Sequence, residues 1–322
     1  MTGRTLRIGT RRSRLAMWQS EWAARLLREL HPGLKVDIVP VRTLGDRDRD
    51  SSLAGMGRTG VFTKEIEDAL FDGRCDLAVH SLKDLPTALT PGLSLAAILE
   101  RADVRDAWIC GAGLGLDEAP EGATVGTSSL RRRSQLLHRR PDLKMTELRG
   151  NVPSRLRAAG APVEEGGTPK TRVDATILAY AGLKRLGLER YASEILEPET
   201  MLPAPGQGAV AVEIRADDAG TAELLLPLDH GPTRLATAAE RGFLEALGGG
   251  CSVPVGALAT VAGRQIHLRG VVAGAEGRRR LTGETTGDDP LRLGQELARE
   301  LVDRGAGEIL ERLRGAAPGE NG

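Results

Sequence analysis

Residues 76–87 read DLAVHSLKDLPT, a short apolar run followed at once by a charged turn. The run from Asp76 to His80 is typical of a buried β-strand, because it is short, apolar and bounded by polar residues. Ligands of open α/β sheets bind beyond the carboxyl ends of strands, so we expect Lys83 and Asp84 to project into a crevice. A solvated turn with a structural salt bridge is the alternative that this stretch leaves open.

Strands and helices alternate along the chain on both sides of this stretch. A helix is predicted from Ser13, a good N-cap, to a stop at about residue 31. Its apolar stripe, at steps of three and four, is Leu15, Trp18, Trp22, Leu26 and Leu30. A second helix is predicted from Phe62 to Phe71, with Ile66, Ala69 and Leu70 facing inward. Residues 43–60 are Gly-rich and charged, which predicts a mobile loop. The alternation is typical of α/β layers.

Two breaks in this pattern divide the chain. Residues 100–105 are charged and residues 203–208 are rich in Pro and Gly, so both are candidate hinges. The strand-like run 210–214 is expected to return to the first sheet. The predicted domains are an α/β lobe of residues 1–100 plus 208–226, a second α/β lobe of residues 105–203, and a small α+β domain of residues 231–316. The third domain is expected to contain strands near 253–261, 265–273 and 279–286 and a helix near 291–302.

The composition limits the classes of protein that the chain can belong to. Its 322 residues are 40% hydrophobic and 27% charged, ordinary values for a soluble globular protein. Aromatic residues are only 2%, so the core must be aliphatic. The 44 basic and 44 acidic residues cancel, whereas a general nucleic-acid binder normally carries a basic excess. We therefore expect no nucleic-acid partner.

The ends and the cysteines indicate a cytoplasmic protein. The first residues lead straight into a strand-like run without an apolar signal segment, and no run of about 18 apolar residues could span a membrane. Three widely spaced cysteines fit a reducing compartment and have no metal-site spacing, so we expect no metal. Cys75 and Cys110 lie in strand-like runs and are expected in the core.

Anion-binding patterns recur where strands are predicted to end. Hydroxyl-bearing residues and free backbone N–H groups at a helix start bind anions, and arginines grip carboxylates with two donors. Four places show the pattern: Arg11 with Ser13; Thr127, Ser128 and Ser129 with Arg131 and Arg132; Arg149 with Arg155; and Lys184 with Arg185. One such place is equally explained by a helix cap with a solvated basic face. Four in a neutral protein indicate a cleft for a small molecule with many carboxylates.

Cys251 lies among glycines, in the run GGGCSVPVG at residues 248–256. Glycines have no side chain, so another group can approach their backbone closely. One interpretation is an exposed thiol that carries a covalent group. The other is a hairpin loop with an incidental cysteine, and the loop by itself favours this second interpretation because a single cysteine has no metal-site or disulfide spacing.

Motifs that resemble one known family cover nearly the whole chain. They are LRIGTR at residues 6–11, VHSLKD at 79–84, GTSSLRR at 126–132, LRGNV at 148–152, AGLKRLGL at 181–188, LPAPGQG at 202–208 and the Cys251 loop. In these motifs the chain resembles the porphobilinogen deaminases, also called hydroxymethylbilane synthases. Several of the runs are long and allow few alternatives at each position, which makes chance similarity a poor explanation.

The resemblance implies a fold and a reaction. The fold is α/β, with two lobes like those of type II periplasmic binding proteins and a small α+β C-terminal domain that carries a cofactor cysteine. The reaction joins four porphobilinogen molecules head to tail with loss of ammonia, giving hydroxymethylbilane for haem and tetrapyrrole biosynthesis. The implied primer is a dipyrromethane cofactor attached through a thioether to Cys251, and a thiolate is a suitable nucleophile for forming that bond. A cytoplasmic monomer is expected.

Individual roles also follow from the resemblance. Asp84 matches the catalytic acid. The positions that match cofactor-binding residues are Ser13, Asp46, Lys83, Thr127, Ser128, Ser129, Arg131 and Arg132. Those that match substrate-binding residues are Arg11, Gln19, Arg149, Arg155 and Arg185. Each pyrrole carries an acetate and a propionate, which suits this excess of cationic and hydroxyl donors.

The chain departs from the family pattern in two places. The family commonly has lysines at the positions of Gly55 and Thr59, and Arg58 lies nearby. Residues 160–172 form a longer loop than is usual, which we interpret as a surface insertion.

One alternative function is a non-catalytic, two-lobed protein that binds small carboxylates, because such a fold often only binds. That interpretation leaves Cys251 and the third domain without a role. A covalent adduct on the purified protein would distinguish the two.

Overall fold

The structure, a computed structural model, describes residues 5–42, 63–165, 167–249 and 253–315. The strands of this part of the chain are β1 (Thr5–Arg11), β2 (Lys35–Val41), β3 (Leu77–Ser81), β4 (Leu93–Ile98), β5 (Asp106–Cys110), β6 (Thr124–Gly126), β7 (Lys144–Thr146), β8 (Ala175–Ala179), β9 (Glu194–Leu196), β10 (Val210–Arg215), β11 (Val255–Ala262), β12 (Gln265–Ala273) and β13 (Arg280–Gly287).

The helices of the described residues are α1 (Arg14–Leu30), α2 (Lys64–Phe71), α3 (Leu130–Arg139), α4 (Val152–Ala158), α5 (Tyr180–Leu186), α6 (Ala219–Leu225), α7 (Gly231–Ala246), α8 (Pro290–Leu301) and α9 (Gly307–Gly315). A 3₁₀ turn, Leu82–Asp84, follows β3 directly. Within the described ranges, no helix has the length and apolar character needed to cross a membrane.

The strands form three sheets. The first has the order β2-β1-β3-β10-β4 and the second the order β7-β6-β8-β5-β9. In the first sheet β10 is antiparallel to both neighbours, and β5 takes the equivalent place in the second. The third sheet is the antiparallel meander β11-β12-β13. The fold class expected from the sequence, two α/β lobes and a small α+β domain, is therefore confirmed, as is the return of residues 210–214 to the first sheet.

The chain forms two compact units. Unit 1 contains Met1–Ala102 and Gly208–Arg234, and unit 2 contains Asp103–Gln207 and Leu235–Gly322. The second and third sheets share unit 2, where the backbone N–H of Ala257 donates to the carbonyl of Pro203 at 3.0 Å. The finer division into domains of residues 1–100 plus 208–226, 105–203 and 231–316 stays a prediction.

Helix α1 buries most deeply a row of residues beside its predicted apolar stripe, while Trp22 and Leu26 of the stripe pack partly against the core. Its buried residues are Gln19, Ser20, Ala23, Ala24 and Leu27, whereas Leu30 is 45% exposed. Small residues on the buried face let the helix approach the sheet closely. The two tryptophans of the predicted stripe are half-buried and contact each other, with ring centroids 5.8 Å apart.

Other expectations about packing are confirmed. Helix α2 buries Ile66, Ala69 and Leu70, and the core clusters are aliphatic apart from two large aromatic side chains, Trp108 and Phe243. Cys75 is buried, as predicted, but Cys110 is only half-buried because it ends β5. Most described residues of the 160–172 loop are exposed, as expected for a surface segment. The predicted loop of residues 43–60 lies outside the described residues.

Helix α8 packs on α7 at a glycine, Gly294, where a side chain would clash with backbone atoms. A Cβ at Gly294 would lie 2.4 Å from the backbone nitrogen of Phe243 and 2.7 Å from the carbonyl oxygen of Ala239. Gly294→Ala should therefore lower the free energy of unfolding by about 1–3 kcal/mol in urea denaturation, because backbone cannot move aside. Gly242→Ala is the matched control, since its Cβ would meet Leu291 at an ordinary 3.5 Å. Equal stability of the two variants would contradict the prediction.

Candidate functional site

In unit 1, the first cluster of polar side chains lies where two parallel strands end. β1 is parallel to β3, so Arg11 at the end of β1 and Asp84 in the turn after β3 belong to the same sheet edge. Ser13 is the N-cap of α1, and its Oγ accepts a hydrogen bond from the backbone N–H of Ala16 at 3.3 Å. A short connection thus places an arginine, a hydroxyl and a helix N-terminus together.

Several of the predicted site residues line one pocket of unit 1. Arg11, Ser13, Gln19 and Asp84 all contribute to its wall, together with His80. Asp84 is exposed and Gln19 is buried. The Gln19 side chain donates from Nε2 to Ser81 Oγ at 2.9 Å, which joins α1 to the end of β3. The turn carrying Asp84 thereby has a fixed place beside the helix.

In unit 2, the second cluster lies at the equivalent edge. β6 is parallel to both β7 and β8, so the segments after these strands emerge side by side. Two hydrogen bonds join the turn after β6 to the end of β7 and to the segment that follows it. The Thr127 backbone N–H donates to the Thr146 carbonyl at 2.9 Å, and Ser128 Oγ donates to the Leu148 carbonyl at 3.0 Å. Ser129 Oγ caps α3 by accepting from the Arg132 backbone N–H at 3.4 Å.

Two arginines of α3 are buried around one carboxylate. Arg131 Nη1 donates to Asp106 Oδ2 at 2.8 Å, and Arg132 Nη2 donates to Asp106 Oδ1 at 2.7 Å. Carbonyls complete the set, since Arg131 also donates to Leu202 and Arg132 to Ile177. Gln207 Nε2 adds a donor to Asp106 Oδ1 at 3.1 Å. We call Asp106, Arg131, Arg132 and Gln207 the buried arginine network.

The charges of this network do not cancel. It contains two guanidinium groups and one carboxylate, and each of the three side chains is at most 7% exposed. Burial by itself raises the pKa of Asp106, but the charges and hydrogen bonds of Arg131 and Arg132 outweigh burial and hold that pKa well below its usual range. Burial lowers the pKa of Arg131. A further anion at this place would relieve the excess positive charge.

The remaining predicted cationic residues are spread over the second unit and the 3₁₀ turn. Arg149 is exposed and donates from Nε to Glu147 at 2.8 Å. Arg155 on α4 and Arg185 on α5 are half-buried, and burial lowers the pKa of Arg185 to about 10. Lys83 is half-buried beside Asp84. Asp46, Cys251 and the positions of Gly55, Arg58 and Thr59 lie outside the described residues.

Sequence reasoning missed the acidic and amide partners inside the units. Asp106 and Gln207 hold the buried arginine network, and Glu213 lies beside His80 in unit 1. A signal existed for two of them, because Asp106 opens the apolar run DAWIC and Glu213 interrupts the run VAVEI. A charged residue inside a buried strand needs a partner.

Fold and site define a two-lobed α/β protein with basic and hydroxyl-bearing side chains at its strand edges and a small third domain. Two family models match the chain: "Porphobilinogen deaminase, dipyromethane cofactor binding domain" over residues 6–223, and "Porphobilinogen deaminase, C-terminal domain" over residues 234–303. The chain belongs to the porphobilinogen deaminase family.

Curated relatives agree with the family models. The chain is 49% identical to a porphobilinogen deaminase of Acidithiobacillus ferrooxidans, over 97% of this chain and 99% of the relative. It is 47% identical to one from Pelotomaculum thermopropionicum, over 97% of each chain. Among solved structures, it aligns with a TRAP periplasmic solute binding protein from Ralstonia eutropha H16 at 11% identity and a TM-score of 0.39, over 97% of this chain and 98% of that one.

Proposed function

We propose that this protein joins four porphobilinogen molecules head to tail, with loss of one ammonia for each, into hydroxymethylbilane. The observation that carries the proposal is the match of both family models, over residues 6–223 and 234–303. The pocket around Asp84 and Arg11 in unit 1 suits a substrate with an amine leaving group and carboxylates. A purely binding role is not favoured by the family. The expected setting is a monomer in the cytoplasm.

The family implies a dipyrromethane cofactor, and the residues of unit 2 fit such a group. Its acetate and propionate groups are anions, and the buried arginine network has an excess of one positive charge. The N-terminus of α3, with its hydroxyl-bearing residues, is a second place suited to carboxylates. When bound, the cofactor supplies the pyrrole to which the first substrate is joined.

The residues that would hold this cofactor are those that match the cofactor-binding positions of the family. They are Ser13, Asp46, Lys83, Thr127, Ser128, Ser129, Arg131 and Arg132. Cys251 would form the covalent thioether. Arg11, Gln19, Arg149, Arg155 and Arg185 would bind substrate carboxylates, and each charge-assisted hydrogen bond contributes roughly 1.5–3 kcal/mol.

The role assigned to Asp84 is to stabilise the positive charge that develops on the substrate. When the C–N bond of the protonated aminomethyl group breaks, the electron pair leaves with ammonia and a cation remains on the methylene and its pyrrole. A carboxylate near the pyrrole N–H stabilises that cation as it forms. Arg11 lines the same pocket and would hold the substrate's carboxylates away from Asp84.

Asp84→Asn should retain the cofactor and lose most activity. The amide keeps the shape of the carboxylate but carries no charge, so we expect kcat to fall by about 10²–10³-fold, the usual effect of removing one charge-stabilising group. Intact mass would report the cofactor and a porphobilinogen turnover assay the rate. Asp72→Asn is the matched control, because Asp72 pairs with Arg74 on the surface of the same unit at 3.2 Å. Near-normal turnover by Asp84→Asn would refute its assigned role.

The function itself is tested by the mass of the native protein and by turnover. We expect a covalent adduct on the purified chain and production of hydroxymethylbilane from porphobilinogen. A protein that carries no adduct, gains none on incubation with porphobilinogen and releases no product would overturn the proposal.

A further inference from the structure

A buried histidine and a buried glutamate form a pair beneath the Asp84 pocket in unit 1. His80 Nε2 lies 3.2 Å from Glu213 Oε2, and the two side chains are only 5% and 1% exposed. Their strands are antiparallel neighbours: His80 pairs with Ala211 across β3 and β10, and Glu213 pairs with Ala78. The two side chains therefore meet diagonally on one face of the sheet.

The two facing atoms of this pair lack hydrogen-bond partners within the part of the chain that the structure describes. Neither His80 Nε2 nor Glu213 Oε2 makes a hydrogen bond to another described group, and their own contact has the distance of an ion pair without hydrogen-bond geometry. Buried polar atoms that lack partners are uncommon and call for an explanation. Catalytic hydrogen bonds in ligand-free structures are often poorly aligned and tighten when substrate binds.

His80 also faces the place where chemistry is proposed. It lines the same pocket as Asp84, one residue at the end of β3 and the other in the turn that follows. A carboxylate at Nε2 favours the tautomer that carries its proton there, which leaves the lone pair of Nδ1 to accept a proton. Glu213 would then orient His80 as the buried acid of a catalytic triad orients its histidine.

The coupling reaction requires such a base. Each added porphobilinogen attacks the next through its free α-carbon, and the hydrogen on that carbon must then leave as a proton. The C–H bond breaks, its electron pair restores the aromatic pyrrole, and a base takes the proton. Asp84 is assigned to stabilising the cation. A second group is therefore better suited to accept the proton than the Asp84 carboxylate itself.

We propose that His80 is the general base that takes this proton and that Glu213 is its positioning residue. The inference rests on the proposed function. After each coupling the proton passes from His80 to water, which restores the neutral imidazole. Asp84 and His80 thus divide between them the stabilisation of the cation and the removal of the proton.

The test uses porphobilinogen labelled with deuterium at its free α-carbon, on the full-length protein with its cofactor. In His80→Asn we expect kcat to fall by about 10²–10⁴-fold, the usual contribution of a general base. Proton removal should then limit the rate, so the isotope effect on kcat should rise above that of the wild type. Glu213→Gln should lower kcat by roughly tenfold or more, with a raised isotope effect and little change in KM.

A matched control exists in unit 2. His267 and Glu284 form another histidine–glutamate pair across neighbouring strands, with Nε2 and Oε2 3.3 Å apart, but their side chains are 42% and 68% exposed. His267→Asn should leave both kcat and the isotope effect unchanged. Intact mass confirms that each variant carries the cofactor before its kinetics are compared.

Three results would overturn the inference. They are normal turnover by His80→Asn, a loss of turnover with an unchanged isotope effect, and a Glu213→Gln variant with wild-type kinetics. The conservative Glu213→Gln keeps the inference testable if His80→Asn does not fold. Failure of the wild type to use porphobilinogen would instead count against the proposed function, so the two failures are distinguishable.

Discussion

Cys251→Ala is expected to yield a folded protein that carries no dipyrromethane and makes no hydroxymethylbilane. Without the sulfur there is no atom to form the thioether, and a primer that is not tethered loses the high effective concentration of an intramolecular reaction. Intact mass should show the bare polypeptide, and the turnover assay should show no product above background. The effect on activity should be the largest of any single substitution in the chain.

Cys110→Ala is the control for this variant. Cys110 is a half-buried free thiol at the end of β5, so the substitution removes a sulfur without touching the glycine-rich loop. It should keep both the adduct and the activity. If the adduct survives in Cys251→Ala, or disappears in Cys110→Ala, Cys251 is not the residue to which the cofactor is attached.

The largest loss of stability is expected from Asp106→Asn. The substitution leaves the guanidinium groups of Arg131 and Arg132 buried without their carboxylate, and breaking a buried ion pair from one side costs about 3–5 kcal/mol. Urea denaturation at neutral pH should report this loss. Asp117→Asn is the matched control, because Asp117 pairs with Arg139 at 2.6 Å on the surface, where such pairs contribute about 0–1 kcal/mol.

The difference in stability between the wild type and Asp106→Asn should depend on pH. The pKa of Asp106 is lower in the folded protein than in the unfolded chain, where it is about 3.9. Its contribution to stability is therefore fully present above that pH and is lost as the pH falls below it. The difference in the free energy of unfolding between the wild type and Asp106→Asn should decrease as the pH falls below about 4. A gap that is already absent at neutral pH would contradict the assigned role of the network.

Local pattern was sufficient to predict most of the fold. The three strands of the small domain, expected near 253–261, 265–273 and 279–286, are observed within two residues at each end, because alternation and turn residues mark them clearly. Helix α1 shows the limit of such patterns. Its large apolar side chains predicted one buried face, but close approach to the sheet is made by alanines and leaves Leu30 exposed.

Contacts between residues far apart in the chain could not be predicted from the sequence. Asp106 meets Arg131 across 25 residues and Gln207 across 101, and no local pattern indicates either contact. Family motifs marked Arg131 and Arg132 as carboxylate-binding residues, yet the structure shows that part of their donor capacity is used by Asp106 and by backbone carbonyls. The VHSLKD motif by itself gave no role to His80. The proposed role of His80 depends on Glu213, which lies on a strand much later in the chain.

The position of β10 also dictates an order of assembly during synthesis. This strand lies between β3 and β4, so the first sheet remains open in the middle until residues 210–215 have left the ribosome. The second sheet needs only residues 106–196 and can be completed earlier. A nascent chain would therefore expose two unpaired edges of its amino-terminal part while the following part is already folded, which makes early arrest of translation a hazard for aggregation.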